Sequence, residues 1–274
     1  MSDPIENFRL AIAAAGLEAP KFIQADGAIH RFSTIGRRGD DSGWYSLHTD
    51  SIPAGSFGCW REGLTQTWCA KSDSAMSDAE RVAHRQSIKA MKVQREADLL
   101  ASQQQASQTA AALWQQATPA TVAHEYLMRK GIQPNGVRSD GRRLIVPMRD
   151  TAGTLHSLQT IAPDGTKMFM SGGRVKGCYF GIGKLKGALI VCEGFATGAS
   201  IHECTDHAVA VGFNAGNLEA VALALRTKYP ALKIIIAADD DHQTSGNPGM
   251  TKATAAVQAT GATLAVPVFK AATA

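Results

Sequence analysis

Glu193, followed by Gly194, and the run Asp239, Asp240, Asp241 all stand at the ends of apolar, strand-like stretches, ALIVCEG and IIIAADDD. Crowded carboxylates repel, and each costs free energy to desolvate. Something must compensate them, or water must reach them. In an extended chain alternate residues share a face, so Asp239 and Asp241 point one way and Asp240 another. A glutamate and an Asp-x-Asp pair converging on one edge make a hard-oxygen donor set suited to Mg²⁺ or Mn²⁺. Such cations offset the repulsion. Phosphate oxygens would complete their shell, as in metal-assisted phosphoryl transfer. The alternative is that the acids are solvated strand ends and helix caps. Gly194 gives the backbone freedom to turn sharply behind Glu193. In SGNPG, Pro248 opens the next helix, whose N-terminus suits a phosphate.

These acids need a scaffold, and the end of the chain supplies its pattern. GALIVCEG, HAVAVGF, LKIIIAADDD and ATLAVPVF read as strands. ATGASIHECT, NLEAVALALRTKY and PGMTKATAAVQATG read as helices between them. Alternation of this length predicts a parallel sheet flanked by helices. Ligands of such sheets bind beyond the carboxyl ends of the strands, where the strand order reverses. Both acidic groups fall at that edge.

Before this part, TPATVAHEYLMRKG reads as a helix begun at Thr118–Pro119 and stopped by Gly131. RRLIVPMRD and TLHSLQTIAP read as strands separated by the turn DTAG, with PDGT turning again before KMFMSGGRVKGCYFGIG. From Ser77 to about Ala117 no proline or glycine interrupts a run rich in Ala, Gln, Lys, Arg and Glu. Ser77 and Glu80 form an S-x-x-E capping box, so this is one long helix of up to roughly 60 Å. Its basic residues read as a solvated face. At the start, Asp3 and Pro4 cap a helix over Ile5 to Ala15. Short aromatic segments follow and predict a small β-rich module. Trp44, Tyr45, Phe57, Trp60 and Trp68, with Arg31, Arg37, Arg38 and Arg61 nearby, either stack on bases or fill that module's core. The division is therefore 1–72, a small aromatic module; 73–117, a helical linker; 118–186, a basic α+β subdomain; and 187–274, the parallel-sheet domain.

Composition bounds the rest. The chain has 274 residues, 45% of them hydrophobic, and a formal net charge of +4. It can bury a core, and its mild basicity permits an anionic partner. Five cysteines without a C-x-x-C pair argue against a disulfide framework. His30, His48, Cys59 and Cys69 are spaced too irregularly for a zinc knuckle, so zinc is not expected. The N-terminus lacks an apolar signal region, and the expected location is cytoplasmic, without a membrane.

Glu193-Gly194 followed by Asp239-x-Asp241 on alternating strands and helices resembles the Toprim domain. That domain is shared by bacterial-type primases, type IA and II topoisomerases, small nucleases and recombination-mediator proteins. AHEYLMRKGI, RRLIVPMRDTAGTLHSLQTI and DGTKMFMSGGRVKGCYFGIG resemble the basic half of a primase catalytic core. DGAIHRF, GDDSGWY and PAGSFGCWREG look like the front of plasmid- and phage-type primases. The likeness is strongest from about Ala123 to Val268. It implies a nucleotidyltransferase that makes short RNA primers on single-stranded DNA, in plasmid, phage or mobile-element replication. Glu193, Asp239 and Asp241 would hold Mg²⁺ or Mn²⁺, and Glu193 could instead serve as acid or base. Lys167, Lys176 and Arg142 or Arg143 would grip template and ribonucleoside triphosphate. A helicase or relaxase partner is compatible with this role. Two departures stand out. Thr197 in EGFATG takes the place of an aspartate that replicative primases carry, and no acid follows Asp241. These leave a non-catalytic single-strand-binding or assembly factor, or a Toprim nuclease, as alternatives. A topoisomerase fits least, since no strand-passage region is recognisable.

Overall fold

The computed structural model describes residues 3–50, 52–71, 76–239, 244 and 246–267. The chain divides into two units, residues 1–95 and 96–274. In the first, helix α1 (Pro4–Ala14) begins where Asp3 accepts the Ile5 N–H at 3.0 Å. Strands β1 (His30–Phe32), β2 (Gly43–His48), β3 (Ala54–Cys59) and β4 (Leu64–Cys69) form an antiparallel meander in chain order. Phe8 and Ile12 of α1 are fully buried against Tyr45, Leu47 and Phe57. The Phe8 ring meets Tyr45, Phe57 and Trp68 edge-on at 6.2, 5.7 and 5.4 Å. A β-carbon on Gly55 would stand 2.8 Å from the Phe8 ring, so this glycine makes room for the helix.

Helix α2 (Asp78–Gln116) contains the boundary between the units. Its capping box forms as expected. Glu80 accepts from the Ser77 N–H at 2.9 Å, and the Ser77 hydroxyl faces the Glu80 N–H at 3.3 Å.

The second unit carries two sheets. Strands β5 (Thr118–Pro119), β6 (Arg138–Ser139), β7 (Leu144–Arg149), β8 (Leu155–Ile161) and β9 (Lys167–Phe169) pair antiparallel in that order. Helix α3 (Glu125–Lys130) lies between β5 and β6 in sequence. Here the structure departs from the helix read from Thr118. Thr118 and Pro119 pair with Ser139 and Arg138 instead. Proline is tolerated there because β5 is an edge strand, where a missing N–H costs no ladder bond. The helix waits for His124, whose Nδ1 accepts the Tyr126 N–H at 3.2 Å, and it ends at left-handed Gly131 as expected.

The other sheet is built from β10 (Phe180–Ile182), β11 (Ala188–Cys192), β12 (Ala208–Val211), β13 (Lys233–Ala237) and β14 (Thr263–Ala265). Its order is β10-β12-β11-β13-β14. The last four strands run parallel, with β10 antiparallel on the edge. Helices α4 (Phe195–Thr205), α5 (Leu218–Lys228) and α6 (Pro248–Thr260) connect them. The period of two divides β11 between two cores. Ile190 and Cys192 pack with Phe195 and Ala199 of α4 and with Val146 and Met148 of the antiparallel sheet. Leu189 and Val191 pack with residues of α5 and α6. Each such aliphatic side chain contributes about 1.5–3 kcal/mol when fully buried. Helix α4 approaches closely, since a β-carbon on Gly198 would stand 2.6 Å from Val211 and 3.1 Å from Cys192 Sγ. Backbone bonds between Arg149 and Tyr179, at 2.8 and 3.0 Å, bridge the two regions. Among the described residues no helix is long and apolar enough to cross a membrane.

Asp40 sets an acid limit on the first unit. Its side chain is 7% exposed and accepts from the Ser42 hydroxyl at 2.7 Å, the Thr34 N–H at 2.9 Å and Arg61 at 2.5 Å. The Ser42 bond most of all, with the Thr34 and Ser42 N–H groups and the Arg61 charge, holds this carboxyl well below the usual range. An unfolded aspartate titrates near about 3.9. The contribution is therefore complete above that pH and fades as pH falls toward the folded value. Thermal melting of the wild type is expected to drop from about pH 5 downward. Asp40→Asn should melt lower at neutral pH and lose less on acidification. Parallel pH profiles would contradict this role.

Candidate metal and phosphate site

The parallel strand order reverses at β11. The chain goes from β11 to β12 on one side, then to β13 on the other. The carboxyl ends of β11 and β13 are thus the switch point at which ligands of open α/β sheets bind. Val191 pairs with Ile236, so Glu193 and Asp239 emerge just beyond neighbouring strand ends. Both are half-buried. Beneath them the Cys192 thiol is fully buried. Burial, then the charge of Asp239, then that of Glu193, pushes this thiol far above its ordinary range. Its burial makes it part of the packed core.

Lys167 reaches the same place. It opens β9, and its Nζ lies 3.7 Å from where a β-carbon on Gly194 would stand. Thr197 Oγ1 lies 3.5 Å from that point, so this threonine faces the same loop. Gly194 is the N-cap of α4, with φ −102° and ψ 150° and no side-chain cap bond. The chain bends at Glu193 between β11 and α4, as expected, while Gly194 itself keeps a conformation open to any residue. Its lack of a side chain is not forced by Lys167 or Thr197, which a β-carbon would meet only at ordinary contact distance. It leaves the first-turn N–H groups of α4 without a side-chain cap, next to the acids.

The other basic candidates are placed differently. Leu144 pairs with Ile161, and Ile161 with Lys167, so Arg142 and Arg143 precede β7 at the same end of the sheet as Lys167. Two strand spacings separate them, roughly 10 Å. Arg143 is bound within its own turn, Nε to Asp140 at 2.9 Å and Nη2 at 2.8 Å. The Arg142 side chain is exposed, and its charge, with that of Arg129, bears on Asp164. Lys176 is exposed, beside Arg174 and Asp150 in a shallow cleft of about 460 Å³. Asp241 lies outside the described residues. Among those described, no group of three or more His, Cys, Asp and Glu is gathered closely enough to hold a metal.

Two residues were not singled out from sequence. Asn217 is buried and joins the Lys176 segment to the parallel sheet. Its side chain accepts the Gly177 N–H at 2.8 Å and donates to the carbonyls of Cys178 and Gly212 at 3.0 and 2.9 Å. The second is Phe213, buried, with φ +75°. A bulky residue held there costs about 1–3 kcal/mol. Gly212 binds Cys192 O through its N–H and Asn217 through its carbonyl, which fixes the backbone. In the first unit, Tyr45 and Phe57 are core residues and Trp68 packs on that core. Trp60 is 62% exposed, tilted against Trp44 at 5.8 Å with Arg31 over its ring at 5.5 Å.

Replacing Asn217 with alanine strands one N–H and two carbonyls. The expected loss is about 2–4 kcal/mol in urea unfolding. Asn217→Asp keeps an acceptor for Gly177 but sets a buried carboxylate against two carbonyls, so it should lose at least as much. A loss below roughly 0.5 kcal/mol for the alanine variant, as for an ordinary surface position, would contradict the role.

Comparison with known proteins agrees with this architecture. Residues 188–273 match the Toprim domain family, so the chain carries a Toprim domain. Over 260 residues, 89% of this chain, it is 38% identical to a DNA primase TraC of Escherichia coli. To a second DNA primase TraC of the same organism it is 35% identical over 284 residues, 97% of the chain. It spans only 24% and 20% of those two proteins. The crystal structure of the Aquifex aeolicus primase, with zinc-binding and RNA polymerase domains, aligns with TM-score 0.44 and 13% identity, covering 99% of this chain and 80% of that one. The primase fragment of the bacteriophage T7 primase-helicase aligns with TM-score 0.39 and 18% identity, covering 53% and 64%.

Proposed function

We propose that this Toprim-containing relative of DNA primase TraC is a DNA primase, joining ribonucleoside triphosphates into short RNA primers on single-stranded DNA. The carrying observation is the convergence of Glu193, Asp239 and Lys167 at the switch point of the parallel sheet. The identity to proteins named DNA primase TraC and the sequence resemblance support the same reading.

Two half-buried carboxylates on adjacent strand ends fit a hard divalent cation better than a soft one. Glu193 and Asp239, joined by Asp241, would hold Mg²⁺ or Mn²⁺, which supplies positive charge against a triphosphate. The chain's own groups do the rest. Lys167, beside Gly194, places an ammonium against phosphate oxygens. The uncapped first turn of α4 offers N–H donors to the same anion. Glu193, if not a ligand, takes the proton of the attacking hydroxyl. Lys176, exposed beside Arg174, and Arg142 lie along surfaces suited to a polyanionic template. Arg143, bound to Asp140, acts by holding the turn that presents Arg142. The chain would work in the cytoplasm during plasmid, phage or mobile-element replication, with a helicase or relaxase as partner.

The test is incorporation of labelled ribonucleotides on mixed single-stranded templates with Mg²⁺ or Mn²⁺. Asp239→Ala with Asp241→Ala is expected to cut synthesis at least about 100-fold, with template binding kept. Synthesis retained in that variant would sink the site assignment. Template binding by the wild type with neither synthesis nor cleavage would favour a binding factor, in line with Thr197 standing where an acid is expected. Metal-dependent cleavage instead of synthesis would favour a nuclease.

A further inference from the structure

We infer that Phe169 is a base-stacking residue that positions the nucleobase of a nucleotide whose phosphates lie at Glu193, Asp239 and Lys167. The inference rests on the proposed reading of that edge as a nucleotide site, and it adds the part of the ligand that the acids and the lysine do not address.

Alternation along β9 puts Lys167 and Phe169 on one face of the strand, with Met168 on the other. Lys167 reaches the loop after β11, as its approach to Gly194 shows. Phe169 reaches the loop after β12, where its ring meets Phe213 at 6.3 Å and 77°. Strands β11 and β12 are neighbours in the parallel sheet. One short strand therefore carries a cation to the acidic strand end and an aromatic ring to the strand end beside it. Phe169 is 40% exposed, so a large apolar surface stays open to solvent at the lip of a charged site.

Phe213 supports the ring from below. It occupies a left-handed backbone conformation that bulky residues avoid, and the bonds of Gly212 to Cys192 and Asn217 hold it there. Strain of this kind persists where the surroundings fix it, and it clusters at ligand-holding sites. The edge-to-face contact sets the orientation of Phe169, leaving the ring surface that is not engaged by Phe213 for a ligand. A planar ring beside a phosphate-binding cation and metal-suited carboxylates matches a nucleotide, with one end polyanionic and the other flat and aromatic. Stacking on such a platform tolerates any base, because every base has a π face. It is therefore expected to act on affinity more than on base choice.

The test compares two probes on the full chain with Mg²⁺ present: ATP, and inorganic tripolyphosphate, which has the phosphates and no base. Calorimetric binding gives both dissociation constants without requiring activity. Phe169→Ala and Phe169→Leu are expected to weaken ATP about tenfold. Tripolyphosphate binding should be unchanged in both. Phe169→Trp and Phe169→Tyr should bind ATP as the wild type does. Leucine keeps the apolar contact with Phe213, so loss in that variant, with circular dichroism unchanged, separates stacking from packing. In primer synthesis the alanine variant should raise KM for ribonucleotides while kcat falls less. Wild-type binding of both probes, with ATP affinity unchanged in Phe169→Ala, would overturn the inference and leave the phosphate site standing. Equal weakening of ATP and tripolyphosphate would overturn it too, by assigning Phe169 a structural role. Wild-type binding of neither probe would overturn the reading of the edge as a nucleotide site, and the inference with it.

Discussion

Carboxylates at the ends of two adjacent buried strands constrain the second unit more than any other interaction. Glu193 and Asp239 follow neighbouring paired strands at one edge, and both are half-buried. Like charges so placed destabilise the fold unless cations lie close by. Lys167 comes to this edge beside Gly194, and it comes from a different sheet. The antiparallel sheet must therefore be positioned against the carboxyl edge of the parallel one. The Arg149–Tyr179 bridge, the shared core around Val146, Met148, Ile190 and Val211, and the three bonds of Asn217 all serve that end.

Small residues allow this approach. Gly198 lets α4 sit on Val211 and Cys192, and that brings the first turn of the helix to the acids. The same economy appears in the first unit, where Gly55 admits Phe8 and Gly58 lies under the Trp44 ring. There the aromatic residues divide in two. Tyr45 and Phe57 hold the core, while Trp60 stays outside with Arg31.

Much of the fold was legible because its signals are local. The strands and helices from Ala188 to Ala265 follow their hydrophobic periods, and Asp3, Ser77, Gly131 and Pro248 mark helix ends where side chain and backbone chemistry require them. The misread element depends on distant partners. Thr118–Pro119 becomes a strand only because Arg138 and Ser139 are there to pair with it. Gly194 was expected to turn the chain, and the bend falls at Glu193 while Gly194 keeps an ordinary extended conformation. The acid edge could be anticipated from residue type and Lys167 from the family resemblance, and the parallel order then explains why Glu193 and Asp239 emerge together. Asn217 and Phe213 could not, because FNAGN looks like an ordinary turn until the segments it joins are seen in space. Asp241, the third acid expected at this edge, lies outside the described residues.

The most direct measurement of the account is the dependence of thermal stability on Mn²⁺ for the wild type and for Glu193→Gln/Asp239→Asn. Neutralising the acids removes both the repulsion and the ligands. Without metal the variant should melt at or above the wild type. Added Mn²⁺ should raise the wild-type melting temperature in a saturable way, as binding to the native state requires, and leave the variant unmoved. A variant that melts well below the wild type without metal, or one that is stabilised by Mn²⁺ as much as the wild type, would contradict a cation-binding edge built on these two carboxylates.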